Sequence, residues 1–552
     1  MSVLNKKWVV KNTDLTKDTL QKVMENRNFD KEEKILHDPF LFEHMQKATD
    51  RIAQAIKNDE RIIIFGDYDV DGITGTTILY KILSQLKVQV SCRLPNRAED
   101  GYGLSEKFIK DFEENDIKLV ITTDCGISNE KTIKKLKEKN IDTIITDHHT
   151  IPKTLPKEAV AIIHPALPTS KYPFKDLTGA GVALKLAQAL IQKYFPKPQH
   201  KALTDQFLDL ACLGTVADLG PITGENWVIV KEGLKNIHNT KWTGLKKIIS
   251  LSESKGKIDT TTIGYRIAPR INAAGRIADP YLALNLLIQE QESNKTNILG
   301  SKLESLNHER KDLTMKALFE AEDNLKKHRV IPYIIIDRHP NWHVGILGLI
   351  AGNLAEKYTR PSIMMQDLGD MLVASARSIP SFNIIEALTK HKKYLESFGG
   401  HAQAAGFSIK KKNLAPFTKE ITAYTKQKLK SLDLKQILPI DCEIFPQEID
   451  KKLLTKLETL APFGTENTRP IFLLQNLTPT FIDTVGKEKS HLKFSVQLRE
   501  KTLEVIAFRM GGHANSLRKH KKIDLVVHIE ENKWNGKSII QLQALDFRES
   551  KQ

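Results

Sequence analysis

The stretch Gly66-Asp67-Tyr68-Asp69-Val70-Asp71-Gly72 sets three carboxylates at alternate positions directly after the apolar run Ile62-Ile63-Ile64-Phe65. Carboxylates that close repel one another unless a cation sits between them, and a divalent metal is the simplest such cation. A solvated Asp-Gly turn is the other reading of this stretch taken alone. Further along stand Thr123-Asp124-Cys125-Gly126, Thr146-Asp147-His148-His149 and Ala217-Asp218-Leu219. If Asp67, Asp69, Asp124, Asp147, His148, His149 and Asp218 converge, the donors are carboxylates with one or two imidazoles and no thiolate. Such a set suits manganese or magnesium better than structural zinc. A carboxylate shared by two ions about 3.5–4 Å apart is the arrangement used for phosphodiester hydrolysis by in-line attack of hydroxide. His149, beside His148, could then hydrogen-bond a non-bridging or leaving oxygen.

Convergence depends on the elements that carry these residues. The run at 61–66 reads as a buried strand and 74–86 as the following helix, which sets the acids at a strand's carboxyl end, where open α/β sheets bind ligands. At a strand end Asp67, Asp69 and Asp71 would project in similar directions. The alternation continues with strands at 88–94, 118–123, 142–146 and 160–164 and helices at 105–115 and 129–139, a pattern of βαβ units and a mostly parallel sheet. Right-handed crossovers bring all the carboxyl ends of such a sheet to one rim. Asp218 follows a helix at 205–217, where the macrodipole disfavours an acid, so a specific role is expected for it; an ordinary surface acid is the alternative.

Residues 1–60 read as a helical lead-in packed beside the first strand, with apolar positions at Leu41, Met45, Ala48, Ile52 and Ile56. Residues 280–328 read as a long helical connector broken near Gly300, and a second α/β unit follows, with strands at 331–336, 362–366, 371–375 and near 405–409 and helices at 345–357 and 383–391. A Lys-rich helix at 410–435 leads to segments near 471–476, 478–484, 491–498, 503–508, 523–529 and 538–545, which suggest a small barrel of about five strands.

The 552-residue chain is too long for one core and, at about 150 residues each, suggests three or four domains. A formal charge of +16 favours a polyanionic partner such as nucleic acid, although a basic balance also fits a merely soluble surface. Cys92, Cys125, Cys212 and Cys442 show no paired spacing, against a zinc ribbon or a disulfide framework and in keeping with a reducing cytoplasm. The first residues lack a signal-peptide core, and no apolar run approaches the ~20 residues of a membrane span, so a soluble cytoplasmic protein with no membrane partner is expected.

Asp-Tyr-Asp-Val-Asp-Gly, then Asp124-Cys-Gly, then Asp147-His148-His149, then Asp218 resemble the four motifs of the DHH phosphoesterase superfamily. Ser375-Ala376-Arg377-Ser378 and Gly399-Gly400-His401-Ala402 resemble its DHHA1 domain. Order, lengths and the distal barrel, from about residue 40 onward, are similar to the branch of the superfamily that degrades single-stranded DNA. The resemblance implies an α/β fold: a parallel-sheet DHH lobe (61–279) after the lead-in (1–60), joined by a long helix (280–328) to a smaller α/β DHHA1 lobe (329–435), plus a C-terminal OB-like β-barrel (436–552). It implies two ions, Mn2+ or Mg2+, one held by Asp67 and Asp124 and the other by Asp69, Asp124, His148 and Asp218. His149 would face the scissile phosphate, Asp71 would support the ligands, and Asp147 would orient a histidine.

The implied activity is hydrolysis of single-stranded DNA from the 5′ end to 5′-mononucleotides, in repair and recombination. Single-strand-binding protein and a helicase are the implied protein partners, and a monomer is the implied state. The alternatives are a relative acting on short RNA or small dinucleotides, and a catalytically silent DNA-binding relative; the complete acidic set speaks against the second. Arg276, Ser375 and Arg377 offer guanidinium forks and a hydroxyl for phosphate oxygens. The resemblance has them anchor the 5′ end, with Arg97 nearby and His401, in Gly399-Gly400-His401, on the backbone. In the barrel, Phe494, Phe508 and Trp534 and the basic run Arg518-Lys519-His520-Lys521-Lys522 could hold the downstream strand by stacking and charge, although barrel aromatics are more often core.

Overall fold

The computed structural model describes residues 2–550 apart from 15, 32, 98–99, 102, 255, 499–500 and 535–536. The chain forms two compact units, Lys34–Leu432 and, from both ends, Met1–Glu33 with Asp433–Gln552.

The larger unit is built on a five-stranded, all-parallel sheet in the order Val90–Arg93, Arg61–Gly66, Ile117–Thr123, Asp142–Thr146, Ala161–Ile163. The β-branched runs Ile62-Ile63-Ile64 and Val120-Ile121 are buried because helices cover both faces, as parallel sheets require. On one face Ile63, Phe65, Val120 and Ile145 pack against Phe108, Phe112, Ile133 and Leu136. On the other, helix Val70–Gln85 is wedged between helices Gly179–Tyr194 and Leu208–Ala217 and is buried over most of its length. That helix begins four residues earlier than its apolar pattern suggests, since Asp69 caps it by accepting from the Gly72 N–H at 3.1 Å. The three acids therefore do not share a strand's alternation: Asp67 directly follows the strand, Asp69 is the cap, and Asp71 lies in the first helical turn.

The connector is helical, but its break falls at 288–293, between Tyr281–Leu287 and the 33-residue helix Asn294–Lys326. Gly300, where the break was expected, is inside that helix, and a Cβ there would come 2.8 Å from Lys247 Cγ, so this glycine admits a neighbour instead of ending a helix. Beyond it lies a mixed five-stranded sheet, ordered Leu395–Gly400, Ala404–Lys410, Met371–Arg377, Ser362–Asp367, Ile335–His339, with helix Val344–Tyr358 against it. Only the last pair is parallel.

In the smaller unit the strands Phe472–Val485, His491–Leu498, Lys501–Ala507, Lys537–Glu549 and Ile523–Trp534 follow one another, and the last pairs back onto the first, closing a five-stranded barrel. The expected strands 471–476 and 478–484 are one strand bent by irregularities at Leu474/Leu477 and Thr480/Asp483. The opening residues do not form a purely helical lead-in. Lys7–Asn12 is a strand paired in parallel with Ile437–Glu443, and helix Met45–Lys57, with the short turn Pro39–Leu41 before it, belongs with the larger unit. The partner lies more than 400 residues away, so no local pattern could have revealed it. Phe494 is core, Phe508 is half-exposed with its edge on His491, and the Trp534 side chain lies outside the described residues.

Candidate active site

The carboxyl ends of the parallel strands bring the acids and imidazoles together. Asp124, after Ile117–Thr123, takes a left-handed backbone (φ 60°), which an aspartate tolerates better than most residues, and its N–H donates to Thr146 O at 3.0 Å. Its carboxylate is packed against the start of helix Gly179–Tyr194, where a Cβ on Gly179 would stand 2.6 Å from Asp124 Cβ. Only glycine permits that approach. The same helix N-terminus holds Asp71, whose Oδ2 and Oδ1 accept from the Gly179 and Ala180 N–H groups at 2.6 and 3.0 Å.

His148 Nε2 lies 3.1 Å from Asp124 Oδ1, 3.8 Å from Asp71 Oδ2 and 3.9 Å from Asp218 Oδ2. Asp67, Asp69 and Asp124 form a second group whose oxygens lie within 4.8 Å of one another, as do donors of Asp71, His148 and Asp218. Asp218 is brought in as the C-cap of helix Leu208–Ala217. Asp71, expected to be a supporting acid, thus stands in the group with His148 and Asp218, while Asp69 stands with Asp67.

Asp147 supports its neighbours. Its Oδ1 accepts from the His148 and His149 N–H groups at 2.7 and 3.1 Å and lies 2.8 Å from His149 Nδ1, and its Oδ2 accepts from the Ile127 N–H at 2.9 Å. Burial pushes the Asp147 carboxyl up, but the His149 ring and the Ile127 N–H outweigh it and hold it at about 2. Burial pushes His149 down, but Asp147 and then Asp67 raise it to about 9; burial and the neighbouring His149 drop His148 to about 3, leaving it a neutral donor of a lone pair.

Four other acids are driven the other way. Burial and the Asp69 charge raise Asp67 to about 8 and Asp71 to about 7, burial with Asp71 and Asp69 raises Asp218 to about 8, and burial with Asp71 and Asp69 takes Asp124 well above the carboxylate range. Four carboxyls so displaced define a site that demands positive charge. Asp67 Oδ1 is buried with no hydrogen-bond partner among the described residues, a lone pair directed at something other than protein. Oxygen donors with one neutral imidazole fit a hard divalent cation.

Beside this centre is a group of arginines. Arg276 is crowded by burial and by Arg97, Arg377 and Arg310, which lower its guanidinium to about 10. Their partners are neutral: Arg276 donates to Gly345 O at 3.2 Å, Arg377 to Ser375 Oγ at 3.3 Å and Ala376 O at 2.9 Å, and Arg310 to Asn307 Oδ1 at 2.6 Å, while Arg97 lies over the Tyr68 ring at 4.3 Å. Guanidiniums gathered with no ion pair to a carboxylate among the described residues suit a phosphate. The expected Arg97, Arg276, Ser375 and Arg377 are therefore together, and Arg310 and Tyr68 join them. Arg310, in a charged helix, carries no distinguishing sequence signal; Tyr68 could have been noticed between two of the acids. His401 Nδ1 lies 3.3 Å from Thr150 Oγ1, directly after the histidine pair, and Gly400 at φ 134° makes the turn that carries it; Gly399 precedes it on the same strand.

The fold and this site define a two-lobed DHH–DHHA1 protein with an appended OB domain: the DHH family N-terminal domain matches residues 61–215, the DHHA1 domain 329–427 and the RecJ OB domain 440–546. The single-stranded-DNA-specific exonuclease RecJ of Bacillus subtilis is 34% identical over 513 residues, 92% of this chain and 64% of that protein. That of Thermus thermophilus is 33% identical over 515 residues, 91% of this chain and 71% of that protein. The crystal structure of Thermus thermophilus RecJ in complex with Mn2+ superposes with a TM-score of 0.84 at 28% identity, covering 99% of this chain and 80% of that one. The chain belongs to the RecJ family, and it spans just under two thirds of the Bacillus subtilis relative's length.

Proposed function

We propose that this chain is a divalent-metal-dependent exonuclease that removes 5′-mononucleotides from the 5′ end of single-stranded DNA, in repair and recombination. The observation that carries it is the juxtaposition, in one unit, of the acid–imidazole cluster and a group of arginines that make no ion pair among the described residues. Asp67, Asp69 and Asp124 would hold one cation and Asp71, His148 and Asp218 the other, with Asp124, against His148, between them. Manganese or magnesium bound there would acidify a water and offset charge on the phosphorus.

The chain's own residues do the rest. Asp147 fixes the His149 ring through Nδ1 and keeps it protonated, so that Nε2 donates to an oxygen of the scissile phosphate. Arg97, Arg276, Arg377 and the Ser375 hydroxyl hold the terminal 5′ phosphate, which sets the cut one nucleotide in, and His401 holds the backbone. The OB barrel supplies a second grip on the strand. Its supports are the matching OB domain model and the basic run at 518–522.

The same reading divides the chain at 61–279, 280–328, 329–435 and 436–552. It takes a single-strand-binding protein and a helicase as partners of a cytoplasmic monomer, supported by the family and by four unpaired cysteines. The test is a nuclease assay on 5′- and 3′-labelled single and double strands, with and without Mn2+. Release of labelled mononucleotide from the 5′ end of single strands alone is expected, and unimpaired release by Asp124→Ala would overturn the reading.

A further inference from the structure

The helix carrying Asn272 and Arg276 contains a π-helical turn, Ile263–Ile267, at its start. Such turns widen the helix at a cost in hydrogen-bond geometry and occur mostly where the displaced side chains have work to do. From Ile267 to Gly275 the helix is buried except at Pro269 and Asn272, and these with Tyr265 and Arg276 recur at i, i+4, i+7 and i+11 along one stripe. The inner end of that stripe is the wall of the site: Asn272 Oδ1 accepts from the Val70 N–H at 3.2 Å, Gly275 lies against the Tyr68 carbonyl, and Arg276 belongs to the arginine group. The outer end is Tyr265, 80% exposed. A Cβ placed on its neighbour Gly264 would meet nothing within 4 Å, and Arg266, next in the chain, is exposed as well.

We propose that Tyr265 is a stacking platform for a base of the single strand, set back from the scissile phosphate by the length of this stripe, with Arg266 on the adjoining backbone phosphate. Eleven residues of helix at 1.5 Å each separate Tyr265 from Arg276 by about 16 Å. The platform therefore takes a nucleotide beyond those at the reacting centre. A planar ring that is exposed, with an exposed cation next to it in the chain, has the composition of sequence-tolerant single-strand binding. The buried stripe of Ile263, Ile267 and Ile271 fixes the helix, so the ring stands on a rigid support.

This rests on the proposed nuclease reading, and the experiment separates the two. Hydrolysis and binding are measured on a dinucleotide and a twelve-nucleotide strand for the full chain and for Tyr265→Ala, Tyr265→Phe and Tyr265→Trp. With one base stacked, Tyr265→Ala should weaken binding of the longer strand about five- to 150-fold, while its loss on the dinucleotide is much smaller. Tyr265→Phe and Tyr265→Trp should restore the difference. A 2-aminopurine moved along the longer strand, bound to the chain with Asp124→Asn, should be quenched at one interior position, and Tyr265→Ala should abolish that quenching. Equal losses on both lengths, no loss, or quenching that survives Tyr265→Ala would overturn the platform while leaving the nuclease reading standing. If the unaltered chain hydrolyses neither substrate, the nuclease reading fails; quenching at an interior base would still uphold the platform, and its absence would end both.

Discussion

His149 is tied twice to one oxygen of Asp147: its backbone N–H donates to Oδ1 at 3.1 Å and its ring Nδ1 lies 2.8 Å from the same atom. Removing the carboxylate charge while keeping the shape leaves the ring without its counter-charge. Asp147→Asn should lower turnover about 10- to 100-fold, as loss of a partner behind a reacting group commonly does, with a smaller change in the metal concentration needed for half activity. Steady-state rates across a Mn2+ titration measure both. A change confined to metal affinity would move Asp147 to a different role.

Asp124 is where cation demand is concentrated. In chelator, Asp124→Asn should melt no lower than the unaltered chain, because a buried acid whose ionised form burial and its acidic neighbours disfavour gives way to a neutral group of the same shape. Saturating Mn2+ should stabilise the unaltered chain by roughly 2–3 kcal/mol at a hundredfold excess over its dissociation constant, and the variant by much less. Melting curves with and without metal decide it, and equal metal shifts in both proteins would contradict the assignment.

Gly179 is a steric prediction. A methyl group there would sit 2.8 Å from Asp124 Oδ1, so Gly179→Ala must displace that carboxylate or the helix. Activity should fall at least about 100-fold for a stability cost of roughly 1–3 kcal/mol. Gly181→Ala, whose methyl would press only on the flexible Leu177 side chain at 3.2 Å, is the control and should stay active.

The arginine group predicts end chemistry. Arg377→Ala should reduce the preference for a 5′-phosphorylated over a 5′-hydroxyl strand about 10- to 100-fold, the worth of a charged hydrogen bond. Competition between the two ends reads this ratio directly, and an unchanged ratio would place the 5′ phosphate elsewhere.

Asp209 gives a pH prediction far from the ligands. It is buried, accepts from the Leu210 N–H and the Trp242 indole at 2.7 and 3.1 Å, and burial raises it to about 6. An acid raised on folding keeps its proton longer in the folded state, so stability falls as pH rises from about 4 through about 6. Asp209→Asn should remove on the order of 1–2 kcal/mol of the decline between pH 5 and pH 8. Denaturant midpoints at the two pH values test it; parallel declines in both proteins would sink it.

What could be read from the sequence was what repeats locally. The buried β-branched runs announced the parallel sheet, and acids at the ends of separate strands announced their convergence, because parallel crossovers leave little choice of rim. The misreadings share a cause. Gly300 looks like a breaker until Lys247 is seen lying over it, and of the two readings weighed for Phe494, core and stacking platform, the closed barrel gives core. Asp71 could not be told from Asp69 on spacing, since only the fold reveals that a distant helix N-terminus meets it. Trp8-Val9-Val10 gives no hint of a partner beyond residue 430.

That pairing of Lys7–Asn12 with Ile437–Glu443 has a consequence for synthesis. On the ribosome Lys7–Asn12 emerges before the larger unit and must wait, an unpaired edge open to wrong partners, while the whole of Lys34–Leu432 is translated and folds as an insert. The smaller unit can therefore be completed only after the larger one, although one of its strands is made before it. A nascent chain halted before Ile437–Glu443 emerges would carry the larger unit and a strand still lacking its partner, the natural point for a chaperone to intervene.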